Sequence, residues 1–277
     1  PEYYQDLGES IAKEKGAYFI NQFGNSDNPL AHEEGTAPEI LSQMEGDLDA
    51  IVIGVGSSGT VTGVSKYLAE NAPEVDIILA DPVGSILADY INEGELKEKN
   101  ASWLVEGIGE DFLPSISDFS RVKKAYAISD KESFSAAREL LKNEGLLAGS
   151  SSGTLIAAAL KYCKEQTKAK NVVTFACDTG NKYLSKCFND FWLEDQGFIE
   201  REAHGDLRDL IGRLHNERAT VVVGPNDVLT TAHNRLRNAG FSQLPVIDNN
   251  KLVGILTEDT IIRFVFGKPE MMNRSVS

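Results

Sequence analysis

The chain has 277 residues, 42% of them apolar, and a formal net charge of -15 from 27 Lys and Arg against 42 Asp and Glu. That is enough apolar material for one large domain or two smaller ones. The negative field, with no stripe of basic residues to override it, argues against nucleic acid and acidic lipid as partners. No run approaches the roughly 18 uninterrupted apolar residues of a membrane span, and PEYYQDLGES lacks the order of a signal peptide, so a cytoplasmic protein without a membrane partner is expected. Cys163, Cys177 and Cys187 are odd in number and lack metal-ligand spacing, so reduced thiols and no metal site are expected.

Along the first two hundred residues, apolar runs alternate with amphipathic segments, the pattern of a parallel α/β protein. Lys13 and Lys15 fall in an N-terminal amphipathic helix. Strands are predicted at AYFI (17–20), DAIVIGV (49–55), VDIILAD (75–81), KAYAIS (124–129) and NVVTFAC (171–177). Crossover helices are predicted at 60–72, where Val61, Val64, Tyr67 and Leu68 share a face, and at 133–145, where Phe134, Ala137, Leu140 and Leu141 do. Asp130, with Ser133 in reserve, is expected to cap the second helix and Gly145 to end it. Trp103 and Trp192 read as core.

EREAHGDLRD (200–209) reads as a charged linker. Residues 220–223 then read as a strand, 228–240 as a helix with Val228, Ala232 and Leu236 on one face, and 243–247 as a strand. DNN (248–250) is a turn, KLVGILT (251–257) a strand and EDTIIRFVF (258–266) a helix. This is one β-α-β-β-α unit. FSQLPVIDNNKLVGILTEDTII (241–262) resembles a cystathionine-β-synthase-type regulatory repeat, a module that works in pairs. A lone unit leaves one sheet face without cover, so a second copy is expected to follow.

The stretch IVIGVGSSGTVTG (51–63) carries the chemistry. Gly54, Gly56 and Gly59 spell G-x-G-x-x-G between a strand and a helix, where backbone N–H groups and the helix N-terminus meet an anion. A dinucleotide site is one reading, with Asp81 positioned to hold a ribose. Ser57, Ser58 and Thr60 put three hydroxyls into one turn, which suits a terminal phosphate dianion better than a pyrophosphate crossing bare backbone.

GVGSSGTVTG resembles the phosphate loop of fold-type II pyridoxal-phosphate enzymes. NPLAHEEGTAPEI (28–40), DPVGSILAD (81–89), VEGIGEDFLP (105–114), EGLLAGSSSGT (144–154) and CDTGNKY (177–183) follow in that family's order. The resemblance covers residues 1–199 and points to the branch that contains the cystathionine and cysteine synthases. It implies a tryptophan-synthase-β-like α/β catalytic domain, with residues 210–277 forming the regulatory repeat after the 200–209 linker. It also implies pyridoxal 5'-phosphate as cofactor, bound through Gly56, Ser57, Ser58, Gly59 and Thr60, with Thr179 hydrogen-bonding the pyridine nitrogen. Thr179 also suits an ordinary helix N-cap. Glu106 would orient a substrate amine or thiol. His32 reads as a packed or hydrogen-bonded loop residue rather than a proton carrier.

The implied activity is β-replacement on serine with homocysteine to give cystathionine. The alternatives are a cysteine synthase using O-acetylserine and sulfide, a catalytically inactive binding or scaffold protein and, more remotely, a nicotinamide oxidoreductase. Implied partners are the amino-acid and thiol substrates, a second copy of the chain in a homo-oligomer, and an adenosyl ligand at the regulatory repeat. Against that ligand, GILTEDTII carries Thr260 where a carboxylate would grip ribose hydroxyls. The family's cofactor-anchoring lysine, in an S-x-K-x-R context, and its carboxylate-gripping asparagine loop have no counterpart here. The chain is therefore expected to be the C-terminal portion of a catalytic domain with half of a regulatory module, and inactive alone.

Overall fold

The computed structural model describes residues 4–96, 102–200, 221–239 and 241–276. It divides into two compact units, Pro1–Glu200 and Arg201–Ser277. The first begins with α1 (Tyr4–Lys15), α2 (Asp27–Ala31), a helical turn over His32–Thr36 and α3 (Ala37–Gln43). There follow β1 (Ala50–Gly54), α4 (Gly59–Asn71), β2 (Asp76–Pro82), α5 (Leu87–Glu93), β3 (Val122–Ile128), α6 (Asp130–Glu144), α7 (Ser150–Lys164), β4 (Val172–Val173) and α8 (Asp190–Asp195).

The four strands form one parallel sheet in the order β3-β2-β1-β4. Side chains of successive strand residues point to opposite faces, so β1 feeds two cores at once. Ile51 and Ile53 pack with Val61, Val64 and Leu68 of α4. Ala50 and Val52 pack with Leu155, Ala158 and Tyr162 of α7 and Phe134 of α6. Burial on both faces explains why the strands read as unbroken apolar runs.

The chain moves outward from β1 through β2 to β3 and then returns to the far side of β1 as β4. At such a reversal the loops leaving the two strands on either side of it, β1 and β4, diverge and open a crevice beyond their carboxyl ends. The loops in question are 55–58 and 174–179.

Several local expectations are corrected. AYFI (17–20) forms no strand, and Tyr18 and Ile20 are exposed, so its apolar character does not serve the sheet. Only Val172 and Val173 of the 171–177 run pair with β1, since the chain then turns away into the crevice wall. Ser129, not Asp130, caps α6: its hydroxyl accepts from Glu132 N–H while Glu132 returns to the Ser129 N–H, a reciprocal capping box. Gly145 ends α6 with φ 71° as expected. The apolar run at 150–164 is a helix absent from the periodicity reading. Trp103 and Trp192 are partly buried at the edge of the second core rather than inside it.

The second unit contains α9 (Leu229–Ala239), β5 (Gln243–Asp248), β6 (Lys251–Thr257) and α10 (Glu258–Val265). Strands β5 and β6 form an antiparallel hairpin whose turn uses positive φ at Asn249 and Asn250. Val223 makes a single parallel bridge to Val246, the remnant of the strand expected at 220–223. Leu229, Ala232 and Leu236 are buried, whereas Val228 precedes the helix and is exposed. Residues 201–209 of the expected linker, and the first residues of the repeat, lie outside the described residues.

Candidate active-site cleft

The crevice beyond β1 and β4 is a cleft of about 720 Å³. Its floor is the turn from β1 into α4, and all five residues from Gly56 to Thr60 line it. Ser58 adopts φ 69°, a left-handed conformation that a residue with a Cβ rarely takes. This turns successive N–H groups inward at the start of α4, where no side chain caps the helix. The Ser58 hydroxyl is buried and has no hydrogen-bond partner. A buried unpaired hydroxyl beside uncapped N–H groups is an arrangement that can serve an anion as a cradle.

The cradle leaves no room for larger residues. A Cβ on Gly59 would lie 1.9 Å from Asn28 Oδ1, and one on Gly56 would lie 2.9 Å from the Gly107 carbonyl oxygen. Asn28 donates to Ser57 Oγ at 2.9 Å and to the Gln22 carbonyl at 2.8 Å, which ties the 28–40 motif to the loop. His32 Nδ1 lies 2.9 Å from Thr36 Oγ1 and its Nε2 3.3 Å from Thr60 Oγ1. Burial lowers its pKa below the usual histidine value, so it braces the loop as a neutral ring.

The opposite wall comes from residues 147–152 and 177–183. Ser152, at the start of α7, accepts from the Cys177 N–H at 2.9 Å, the Gly149 N–H donates to the Asp178 carbonyl, and Gly180 N–H donates to the Leu147 carbonyl. Ala148 and Thr179 thereby form an antiparallel bridge. The Asp178 carboxylate accepts from Tyr183 Oη at 3.0 Å and Lys182 Nζ at 3.2 Å. Thr179 accepts from the Asn181 N–H at 3.3 Å as an N-cap, which leaves its hydroxyl proton available to another acceptor. Thr179 is exposed and is not itself a lining residue, but its neighbours Cys177 and Asp178 are.

The third wall is the segment 103–112. Asp130 accepts from the N–H groups of Leu104 and Val105 at 3.0 Å, Trp103 Nε1 donates to the Ile108 carbonyl, and Gly109 N–H donates to the Val55 carbonyl. Glu106 lines the cleft and pairs with Lys186. Glu110, also lining it, is pushed up to about 7 by burial and by the neighbouring charges of Asp111 and Asp81. No lysine lines the cleft among the described residues.

The structure thus brings the loop residues and Glu106 to one cleft and sets Thr179 at its edge. Asn28, Asp130, Ser152 and Glu110 have positions there that their residue types and spacing did not signal. Their partners are 25 or more residues distant for Asn28, Asp130 and Ser152, beyond any local pattern.

A family described as "Pyridoxal-phosphate dependent enzyme" matches residues 2–178, and one described as "CBS domain" matches residues 208–267. The chain is 34% identical over 286 residues to the cystathionine beta-synthase of Dictyostelium discoideum, covering 100% of this chain and 57% of that protein. It is 40% identical over 182 residues to the cysteine synthase of Helicobacter pylori, covering 66% of this chain and 56% of the relative. The solved O-acetylserine dependent cystathionine beta-synthase from Helicobacter pylori superposes with a TM-score of 0.57 at 38% identity, over 66% of this chain and 56% of that one. The chain spans a little over half the length of these relatives. With the glycine-rich loop, the parallel sheet and the family match in agreement, this chain belongs to the pyridoxal-phosphate dependent enzymes and carries a CBS domain after that fold.

Proposed function

We propose that the protein serves β-replacement chemistry of the cystathionine β-synthase type, joining serine to homocysteine with pyridoxal 5'-phosphate as cofactor. The observation that carries this reading is the cradle at Gly56–Thr60, with its uncapped helix start and the unpartnered buried hydroxyl of Ser58. These residues fit a terminal phosphate: the loop offers backbone N–H groups, three hydroxyls and no acidic side chain of its own.

When bound, the cofactor supplies the electron sink that loosens the α-proton and the β-substituent of an amino acid. In the proposal Gly56, Ser57, Ser58, Gly59 and Thr60 hold the phosphate. Thr179 would offer its free hydroxyl proton as a hydrogen bond to the ring nitrogen. A neutral donor there leaves the ring less electron-poor than a carboxylate would, which favours prompt loss of a β-substituent. Glu106 orients a substrate amine, with Lys186 balancing its charge until then. No lysine that could anchor the cofactor is among the described residues that line the cleft.

The CBS domain and the similarity to cystathionine beta-synthase over the whole chain support this choice. A cysteine synthase is the second reading, favoured by the 40% identity to the Helicobacter relative over two thirds of the chain. We take residues 1–199 as catalytic, 200–209 as linker and 210–277 as the regulatory repeat, a division supported by the two compact units. We assign no adenosyl ligand to this half-module, because Thr260 hydrogen-bonds Thr257 where a carboxylate would be needed. Free thiols at Cys163, Cys177 and Cys187 suit a cytoplasmic protein, and among the described residues no helix is long and apolar enough to cross a membrane.

Gly59→Val tests the cradle. Its Cβ meets Asn28, so pyridoxal-phosphate binding, followed by absorbance of the retained cofactor, is expected to disappear, and Gly59→Ala with Asn28→Gly is expected to restore part of it. Undiminished binding by Gly59→Val would remove the phosphate from this loop.

A further inference from the structure

Glu110 stands in the wall of the cleft beside the anion cradle. Its Oε1 lies 3.9 Å from the point where a Cβ on Gly56 would sit, so the carboxyl borders the first residue of the loop. The backbone of Glu110 is held on both sides, since its N–H donates to Ser85 Oγ at 3.1 Å and its carbonyl accepts from the Ile86 N–H at 3.0 Å. The side chain cannot swing its Cα away. Among the described residues its carboxylate has no hydrogen bond or ion pair, and the charges that act on it are the like charges of Asp111 and Asp81. Burial and these two carboxylates push its pKa up to about 7.

A doubly charged anion in the cradle adds a third repulsive charge at short range, in a partly desolvated site where screening is weak. The negative charge that can leave is that of Glu110. We propose that Glu110 enters the anion-loaded cleft as a neutral carboxylic acid, so that loading the Gly56–Thr60 cradle takes up one proton from solvent at this side chain. Glu110 is thereby a ligand-positioning residue that becomes a hydrogen-bond donor beside the bound anion. The inference rests on the phosphate reading of the cleft.

Three other groups facing the site are moved away from the neutral range. His32, on the helical turn packed against α4, lies below its usual value and is neutral above pH 7. Burial raises the Cys177 thiol, and Tyr183 is pushed up to about 12. Glu106 is paired with Lys186, and Asp178 with Tyr183 and Lys182. The interval from about pH 7 to 8.5 therefore lies above His32 and below Cys177 and Tyr183, and the Glu110 variants separate its proton from any other.

The test is calorimetric titration of the chain with sulfate, a dianion throughout this interval, in buffers of different ionisation enthalpy, which counts protons taken up on binding. A parallel arm with pyridoxal 5'-phosphate asks whether the cofactor's own phosphate uses the same group. For the wild type, proton uptake is expected to rise towards one across the interval and affinity to fall by up to about tenfold per pH unit. Glu110→Gln is expected to bind equally at both ends and to take up no proton by difference. Glu110→Ala provides the same readout should the amide disturb folding. Uptake that persists in both variants, or binding by the wild type without uptake, overturns the assignment of Glu110 alone. Failure of both anions to bind the wild type overturns the phosphate reading and this inference together.

Discussion

Ser58 joins conformational strain to function. Its left-handed backbone costs about 1 kcal/mol relative to glycine, and among the described residues its buried hydroxyl lacks a partner. The cost at the hydroxyl is recovered when an anion accepts from it. Ser58→Gly is therefore expected to raise the melting midpoint by about 2 °C, part of the gain being lost to the freer unfolded chain. The same variant is expected to bind phosphate several-fold more weakly, since one hydrogen bond is worth about 1 kcal/mol. Parallel thermal melts and phosphate titrations check both. A lower midpoint would show that Ser58 is held for packing instead. The crowding of hydroxyls in GSSGT was visible in the sequence; the unusual φ at Ser58 was not, because nothing about a serine announces positive φ.

At the scale of elements, the start of α6 performs two separate tasks with adjacent residues. Ser129 caps the helix, while Asp130 leaves its own helix start and accepts from the N–H groups of Leu104 and Val105, holding the wall that carries Glu106 and Glu110. Sequence spacing placed the cap at Asp130, one residue late, because aspartate and serine are both good caps and the choice depends on what else each can reach. Asp130→Ala is expected to raise hydrogen exchange at Leu104 and Val105 at least tenfold while leaving α6 protected. Ser129→Ala is expected to cost about 1 kcal/mol and to fray α6 without loosening the wall. Equal exchange in both variants would contradict this division.

At the scale of the molecule, the hairpin of the second unit leaves apolar surface open. Leu252, Val253 and Ile255 on β6 are 63, 57 and 62% exposed, and Phe241, Pro245, Leu252 and Ile255 line one groove. Patches of this kind are normally covered by a partner. For the homo-oligomer that the sequence resemblance implies, Leu252→Lys with Ile255→Lys is expected to lower self-association in sedimentation velocity without changing the circular dichroism of the unit. An unchanged sedimentation coefficient would move the interface elsewhere.

By itself the sequence pointed to the apolar strands β1, β2 and β3, to the crossover helices α4 and α6, to the glycine-rich turn between β1 and α4, and to the family, because these rest on local periodicity and on short motifs whose residues are neighbours in the chain. It also pointed to Gly145 as the helix stop and to the turn at 248–250, where single residues supply the needed backbone freedom. Only the tertiary structure decided that AYFI is not a strand and that β4 keeps two residues, since pairing depends on which edge remains available. The tertiary structure alone set Asn28 against Gly59, Ser152 against Cys177 and Glu110 beside Gly56. Those contacts join segments brought together by the reversal of strand order, and the energies involved, desolvation and like-charge repulsion, depend on distances in space that no spacing along the chain encodes.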